Sequence, residues 1–344
     1  MSTRYTELLG IDHPVVQDGM GPFRTTGLAA AVSNAGGLGS LSSPTASGAR
    51  DGARELRAAI DECASLTGKP FAVNIPVDGK GHDSHSFTRA FLEVVVRARA
   101  ADSAIASQLR AVTTSAGNPA DHSAMIKDAG LVHQHKVGST QHARKAVEQG
   151  ADVVIASGYE MGGHTHSKPV HTFVLGPNIT EAVDVPVLLS GGIRDGRGLA
   201  AALCVGAEGV AMGTRFIASD ANTEWHPNYA RAILDAREGD DVTYPGFFGP
   251  VRGLRNAGSE LLGSIIENGT STEDSLHEWK LAAMRKAQAD GDTVDGLVLA
   301  GQVASALTEI VAVAELVPGM VRDAVRILDD LARRLPAAGV TSMS

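Results

Sequence analysis

The chain has 344 residues, of which 43% are hydrophobic, and it carries a formal net charge of −9. An acidic balance without a basic block argues against a nucleic-acid-binding or membrane-surface protein. Two cysteines and an N-terminus without an apolar signal core predict a reduced, cytoplasmic setting without disulfides. No run of 18 apolar residues occurs, so we expect no transmembrane helix.

Short apolar segments alternate with helical patterns along much of the chain. The eight candidate strands are 14–17, 38–41, 71–75, 111–114, 132–136, 153–157, 187–190 and 209–212. Continuous apolar strands that alternate with helices indicate a parallel sheet covered on both faces. Eight such units predict an α/β fold of the (β/α)8 TIM-barrel class.

Two segments interrupt this rhythm. The connection 78–110 is too long for a simple crossover and contains a helical pattern. The segment 217–300 contains both tryptophans and the aromatic loop YPGFF. We predict a barrel in residues 1–216, a mostly helical extension in 217–300 that covers its mouth, and helices in 301–344 that return to the barrel.

Glycine-rich loops follow the last two predicted strands. Gly191 and Gly192 follow the seventh strand, and Gly213 and Thr214 follow the eighth. Glycines let backbone N–H groups approach a phosphate, and these two loops are the usual phosphate site of barrels. The alternative is that the glycines only permit tight turns. A GxGxxG fingerprint after the first strand is absent, which disfavours a Rossmann cofactor domain.

His164 lies in the sequence GYEMGGHTH after the sixth strand, where its imidazole is placed to act as a general acid or base. The alternatives are a surface histidine and a metal ligand paired with His166. His133 and His135 form a second HxH pattern inside a strand, whose alternation puts both on one face. No carboxylate or cysteine is spaced to complete a metal set, so no metal is expected.

Other polar groups stand at predicted strand ends. Lys136 ends the fifth strand, where it contacts a phosphate or an electron-rich ring, or reaches solvent. Asn74 ends the third strand, where its amide either bonds a ring edge or caps the following turn. After the first strand, the backbone of Gly19–Met20–Gly21 can approach a flat ligand, although Asp18 is an unusual neighbour for an electron-rich cofactor.

From about residue 5 to residue 328 the chain resembles the nitronate monooxygenase family, formerly called 2-nitropropane dioxygenase. The motifs, in order, are QDGMG, AVSNAGGLGSLS, PFAVNIP, HKVGST, GYEMGGH, LLSGGIRDGRG, GVAMGTRF and LAGQVA. The resemblance implies an FMN-binding barrel. Members of this family include nitronate monooxygenases, NADH:quinone reductases and type II enoyl-thioester reductases. The GYEMGGH loop and the GDT segment at 291–293 resemble the branch that holds the first two.

The resemblance also implies roles for individual residues. Those implied to contact the flavin ring or the ribityl region, the first three through their backbone, are Gly19, Met20, Gly21, Asn74, Lys136 and Gly162. Those implied to hold the phosphate end are Ser190, Gly192, Met212, Gly213 and Thr214. His164 matches the catalytic histidine. Two residues depart from the family pattern: Asp18 replaces a small residue, and Ser157 stands where some members have glutamine or aspartate.

Two reactions on a small-molecule substrate fit this resemblance. In the first, a nitronate monooxygenase oxidises alkyl nitronates or nitroalkanes with dioxygen to a carbonyl compound and nitrite, and His164 holds the nitro group or removes an α-proton. In the second, a reductase uses NADH or NADPH to reduce a quinone, an enone or an enoyl thioester. Tyr244, Phe247 and Phe248 then offer a nicotinamide or acceptor surface. The oligomeric state is open, with a homodimer as one alternative.

Overall fold

A barrel of eight parallel strands forms the body of the protein, in a computed structural model that describes residues 1–77, 85–246, 249–269 and 272–335. Its strands are β1 (Val15–Gln17), β2 (Gly39–Ser42), β3 (Phe71–Val77), β4 (Leu109–Ala116), β5 (Val132–Val137), β6 (Val153–Ser157), β8 (Val187–Ser190) and β9 (Gly209–Met212). All eight coincide with predicted segments, with β4 longer at both ends. The predicted (β/α)8 class is confirmed.

The strands follow one another around the barrel in chain order. The sheet runs β1-β9-β8-β6-β5-β4-β3-β2. Its two ends meet at a parallel bridge between Val16 and Leu38. There the Gln17 N–H donates to the Leu38 carbonyl oxygen at 2.9 Å. The carboxyl ends of all eight strands therefore surround a single mouth.

Helices cover the outside of the barrel between successive strands. They are α2 (Thr26–Asn34), the 3-10 turn η1 (Thr45–Ser47), α3 (Gly48–Leu66), α4 (His85–Ala101), α5 (Ser103–Gln108), α6 (Ala120–Asp128), α7 (Thr140–Glu148), α8 (Thr172–Thr180) and α9 (Gly196–Cys204). A further helix, α1 (Arg4–Leu9), precedes β1. Their apolar faces pack on the strands. In α3, for example, Leu56, Ile60 and Cys63 recur at helical spacing and are fully buried.

The barrel interior is filled by side chains, and α1 closes its amino-terminal end. Tyr5 and Leu9 of α1 form one buried cluster with strand residues such as Val16 and Leu188. The Tyr5 hydroxyl donates to Oε1 of Gln134 inside the barrel at 2.9 Å. A ligand can therefore enter from the opposite end, where the strands finish.

A long extension follows β9. It contains α10 (Thr214–Ile217), α11 (Pro227–Asp235), β10 (Asp241–Pro245), β11 (Pro250–Leu254), α12 (Ala257–Asn268) and α13 (Glu273–Gln288). The sequence analysis predicted helices here and missed the hairpin β10–β11. This hairpin pairs antiparallel with β7 (Gly163–His164), which belongs to the loop after β6. A two-residue strand held by a distant partner leaves no periodic signal in the sequence.

The last elements are the 3-10 turn η2 (Gln302–Ala306) and α14 (Val313–Arg334). Buried residues of α14, including Val317 and Met320, pack with Leu199 of α9 in the largest apolar cluster. The helices approach closely, because a Cβ on Gly196 would lie 2.5 Å from the Asp323 Cβ. Among the described helices, none is long and apolar enough to cross a membrane.

Candidate active site

A cavity of about 770 Å³ opens at the carboxyl ends of the strands. It brings together every predicted site residue. These are Gly19, Met20, Gly21, Asn74, Lys136, Gly162, His164, Ser190, Gly191, Gly192, Met212, Gly213 and Thr214. Their placement around one cavity agrees with a shared site, while the individual roles stay predictions.

The loops after β8 and β9 form the end of the cavity that suits a phosphate. Gly191 and Gly192 have φ angles of +109° and +74°, which side chains other than glycine rarely adopt. Successive N–H groups in such a turn form an anion-binding concavity. Beside it, the Thr214 hydroxyl accepts a hydrogen bond from the Gly301 N–H at 2.9 Å. The tight-turn alternative and phosphate binding are both compatible with this backbone.

Asp18 and Lys136 form the floor of the cavity. The Lys136 Nζ lies 2.6 Å from Oδ1 of Asp18, and the two side chains are 12% and 11% exposed. The sequence analysis left three alternatives for Lys136 and did not foresee this pair. Since Lys136 is engaged inside the mouth, the alternative in which it reaches solvent is wrong.

Several buried polar atoms on the cavity wall make no hydrogen bond to any described residue, among them Oδ1 of Asn74 and Oγ of Ser157. An unsatisfied buried polar group costs about 1–3 kcal/mol, so a ligand with complementary groups is expected beside them. A Cβ on Gly19 would lie 2.3 Å from the Asn74 Cβ, so only glycine leaves room for this amide. The two atoms fit the polar edge of a flavin ring.

His164 lies on β7 and pairs with Val251 of β11. Burial, and then the nearby Lys136 and Lys280, lower the pKa of His164 to about 4. Its Nε2 is shielded from solvent, and a Cβ on Gly246 would lie 3.2 Å from that atom. The imidazole is therefore neutral near pH 7, and one of its ring nitrogens carries no proton.

Glu160, which the sequence analysis did not single out, anchors the loop that carries His164. It accepts hydrogen bonds from the Thr172 N–H at 3.0 Å and the Thr172 hydroxyl at 2.7 Å. Burial alone raises the pKa of Glu160, but hydrogen bonds from Thr172, its own backbone and His171 lower it overall. Its backbone oxygen accepts from the Gln302 N–H at 3.0 Å, which joins the loop to the LAGQVA motif.

Arg252 of β11 was also missed, and it holds the extension against the same loop. The residue is 1% exposed and forms an ion pair with Asp241 of β10. Its guanidinium carbon lies 4.2 Å from the ring centroid of Tyr159, which precedes Glu160. This contact and the pairing of β7 with β11 fix His164 relative to the extension.

One face of α13 forms a wall of the cavity. The lining residues recur at helical spacing and are His277, Leu281, Met284 and Gln288. Leu299 and Trp225 add apolar surface from neighbouring segments. The sequence analysis assigned this role to the aromatic loop instead. Tyr244 is buried in an apolar cluster behind this wall, together with Met284, and does not line the cavity. Phe247 and Phe248 lie outside the described residues.

The other three histidines of the two HxH patterns have close neighbours in the structure. The Thr114 hydroxyl lies 2.8 Å from both Nε2 of His133 and Nδ1 of His135, which share one face of β5 as predicted. His166 packs so closely on Gly138 that a Cβ there would lie 1.9 Å from its ring. Within the described ranges, no group of three or more histidine, cysteine or acidic side chains is arranged to hold a metal ion.

Glycine-rich loops after the last strands and a histidine at the mouth lie where enzymes of the TIM-barrel class carry their active sites. The chain belongs to the nitronate monooxygenase family, whose model matches residues 2–323.

Curated relatives of this chain have two kinds of name. A Rhodococcus jostii (strain RHA1) protein is 35% identical over 96% of this chain and 98% of its own length. Its name is (3aS,4S,5R,7aS)-5-hydroxy-7a-methyl-1-oxo-octahydro-1H-indene-4-carboxyl-CoA dehydrogenase. A probable nitronate monooxygenase from Staphylococcus saprophyticus is 33% identical over 74% of this chain and 79% of its own length.

Two solved structures are also similar to this chain. FabK from Thermotoga maritima is 35% identical with a TM-score of 0.85, over 97% of this chain and all of its own. Nitroalkane oxidase from Streptomyces ansochromogenes is 25% identical with a TM-score of 0.80, over 96% of this chain and all of its own.

Proposed function

We propose that this protein is an FMN-dependent oxidoreductase that acts on an acyl thioester. In this proposal His164 moves the proton on the carbon next to the thioester carbonyl. The observation that carries the proposal is the placement of His164 in the same cavity as Leu281 and Met284 of α13.

The cavity supplies the groups that FMN needs. The phosphate would lie against Gly191, Gly192, Gly213 and Thr214, and the ring would lie over the floor near Asn74. Other predicted contacts are Gly19, Met20, Gly21, Lys136, Gly162, Ser190 and Met212. When bound, FMN supplies the two-electron redox chemistry, while the protein supplies orientation and electrostatics. The barrel 1–216 would hold the cofactor, the extension 217–300 would cover it, and 301–344 would brace the barrel.

The charge state of His164 favours a neutral substrate. A pKa of about 4 leaves the imidazole without a positive charge near pH 7. Without that charge it can still exchange a proton with a substrate, but it offers no ion pair to an anion such as a nitronate. A thioester substrate is neutral at the reacting carbons and agrees with the name of the Rhodococcus jostii relative, which spans nearly the whole chain.

The apolar wall supports the same substrate class. Leu281 and Met284 of α13, together with Leu299, offer a surface on which a carbon skeleton can be buried. Small nitronates have too few carbon atoms to cover such a surface. The direction of the reaction is open, and NADH or NADPH would serve as the reductant if the thioester is the electron acceptor.

A second candidate is oxidation of nitronates or nitroalkanes with dioxygen. It is supported by the description of the family and by the likeness to nitroalkane oxidase. In that reaction His164 would remove the α-proton of a neutral nitroalkane, which suits its pKa better than holding a preformed nitronate.

An anaerobic spectrum of the FMN-reconstituted protein separates these candidates. An acyl-CoA, NADH, NADPH and propionate 3-nitronate are added separately. Bleaching by the acyl-CoA, or bleaching by a nicotinamide that an enoyl-CoA reverses, is the expected result. A response to the nitronate alone would overturn the thioester proposal in favour of the second candidate. Reversal by a quinone but not by an enoyl-CoA would also contradict it. A protein that cannot take up FMN would refute both.

A further inference from the structure

The ion pair between Asp18 and Lys136 crosses the barrel rather than joining neighbouring strands. Asp18 directly follows β1, and Lys136 lies on β5. In the closed ring these strands are four places apart in either direction, so they face each other. The Nζ–Oδ1 distance of 2.6 Å therefore closes a bridge over the barrel axis.

This bridge separates the apolar interior from the cavity. Below it lie buried residues such as Val16 and Leu188, and both charged residues line the cavity above. Gly191 and Gly192 line the same cavity, so a planar ligand whose phosphate lies at these glycines can extend to the pair. The argument that follows rests on the proposed function, because it takes FMN to be that ligand.

Stability alone does not explain why a carboxylate stands here. Replacing a buried ion pair by well-packed apolar residues is often neutral or stabilising. The pair does, however, decide the charge beneath the ring. Alone, the Lys136 ammonium would attract negative charge on a ligand above it. With Asp18 at 2.6 Å, the floor has no net charge.

We propose that Asp18 is a positioning residue that lowers the reduction potential of the bound flavin by holding Lys136 and compensating its charge. Transfer of a hydride from a donor brings two electrons and one proton to the ring and leaves it with one negative charge. A nearby ammonium stabilises that charge, and a carboxylate beside the ammonium opposes this effect. Asp18 thus makes the reduced flavin a stronger hydride donor.

The test measures the flavin reduction potential of the full chain, reconstituted with FMN, by anaerobic equilibration with a reference dye. Asp18→Asn keeps the shape and leaves Lys136 uncompensated. The equilibrium between oxidised and reduced flavin should shift at least tenfold toward the reduced form, which is about 30 mV upward for a two-electron couple. Adding Lys136→Met to Asp18→Asn should return the potential toward that of the wild type.

The return of the potential in the double variant separates an electrostatic role from a merely structural one. A second disruption of structure would not restore the potential. The control is Asp12→Asn, which removes one negative charge from an exposed pair with Lys69 at 3.5 Å and should leave the potential unchanged. Asp18→Ser repeats the measurement with a small residue.

Three results would overturn the proposal. The first is an unchanged potential in a variant of Asp18 that retains FMN. The second is loss of FMN from both Asp18 variants, which would make Asp18 a binding residue. The third is a wild-type protein that binds no FMN, which would remove the proposed function as well, whereas the first two leave that function intact.

Discussion

His164 and Val251 face each other in antiparallel register, although one belongs to a barrel loop and the other to the extension. Main-chain pairing therefore sets the position of the imidazole. The extension is more than a cover, because the hairpin β10–β11 holds the candidate acid–base group over the mouth.

Gly246, at the tip of this hairpin, should be needed for activity. A Cβ there would lie 2.1 Å from Cγ2 of Val251 and 3.2 Å from Nε2 of His164. We expect Gly246→Ala to displace the imidazole and lower kcat at least tenfold while FMN stays bound. The matched control is Gly263→Ala, because no described atom lies within 4 Å of a Cβ at that site. Equal activities of the two variants would contradict the assigned role of the hairpin.

His164→Ala should remove proton transfer without removing the cofactor. General acid–base groups contribute about 10²- to 10⁴-fold, so we expect a loss of that size in kcat and an unchanged flavin spectrum. His13→Ala serves as the control, since His13 precedes β1 at the opposite end of the barrel. Full turnover of His164→Ala would refute the role of this residue.

Gly192→Ala should weaken FMN binding through the backbone alone. A Cβ there would have 3.7 Å to its nearest neighbour, so space is adequate, but the φ angle of +74° is strained for alanine. That strain is about 1–2 kcal/mol, and relaxing it would disturb the phosphate loop and weaken binding about tenfold. Gly10→Ala imposes the same strain at φ +72° far from the cavity. An equal FMN affinity of both variants, by fluorescence titration, would argue against the phosphate assignment.

Acid should destabilise the protein through its buried histidines. Burial lowers the pKa of His133 to about 4 and that of His135 to about 3, below their ordinary value of 6.5. The unfolded chain therefore binds more protons, so stability is full above pH 6.5 and falls as the pH drops toward 4. We expect the Tm to fall over this window, and to fall less steeply in His135→Gln. A Tm that is constant between pH 6.5 and 4 would contradict this prediction.

The α13 face should determine the size of the substrate. Leu281→Trp places a larger side chain in the cavity, so we expect KM to rise for bulky acyl thioesters and to change little for short ones. Ala282→Trp is the matched control, because Ala282 is the next residue on the helix, is exposed and does not line the cavity. If KM changes equally in both variants for bulky and for short acyl thioesters, α13 does not select among substrates.

Much of the barrel and its site was predictable from sequence. Buried parallel strands read as short apolar runs, and functional groups of this fold follow such runs directly. The glycines after β8 and β9, and His164 after β6, could therefore be found from local order alone. Glu160 stood in the same GYEMGGH motif, but its value as an anchor depends on Thr172, which the motif does not contain.

The sequence by itself determined the class of fold, the order of the strands and the residues that meet at the mouth, since local periodicity and strand direction suffice for these. Only the tertiary structure decided that Lys136 is held by Asp18, that β7 joins a distant hairpin and that α13 lines the cavity. These contacts join segments far apart in the chain. Their energies depend on distances and burial that exist only once the barrel has closed.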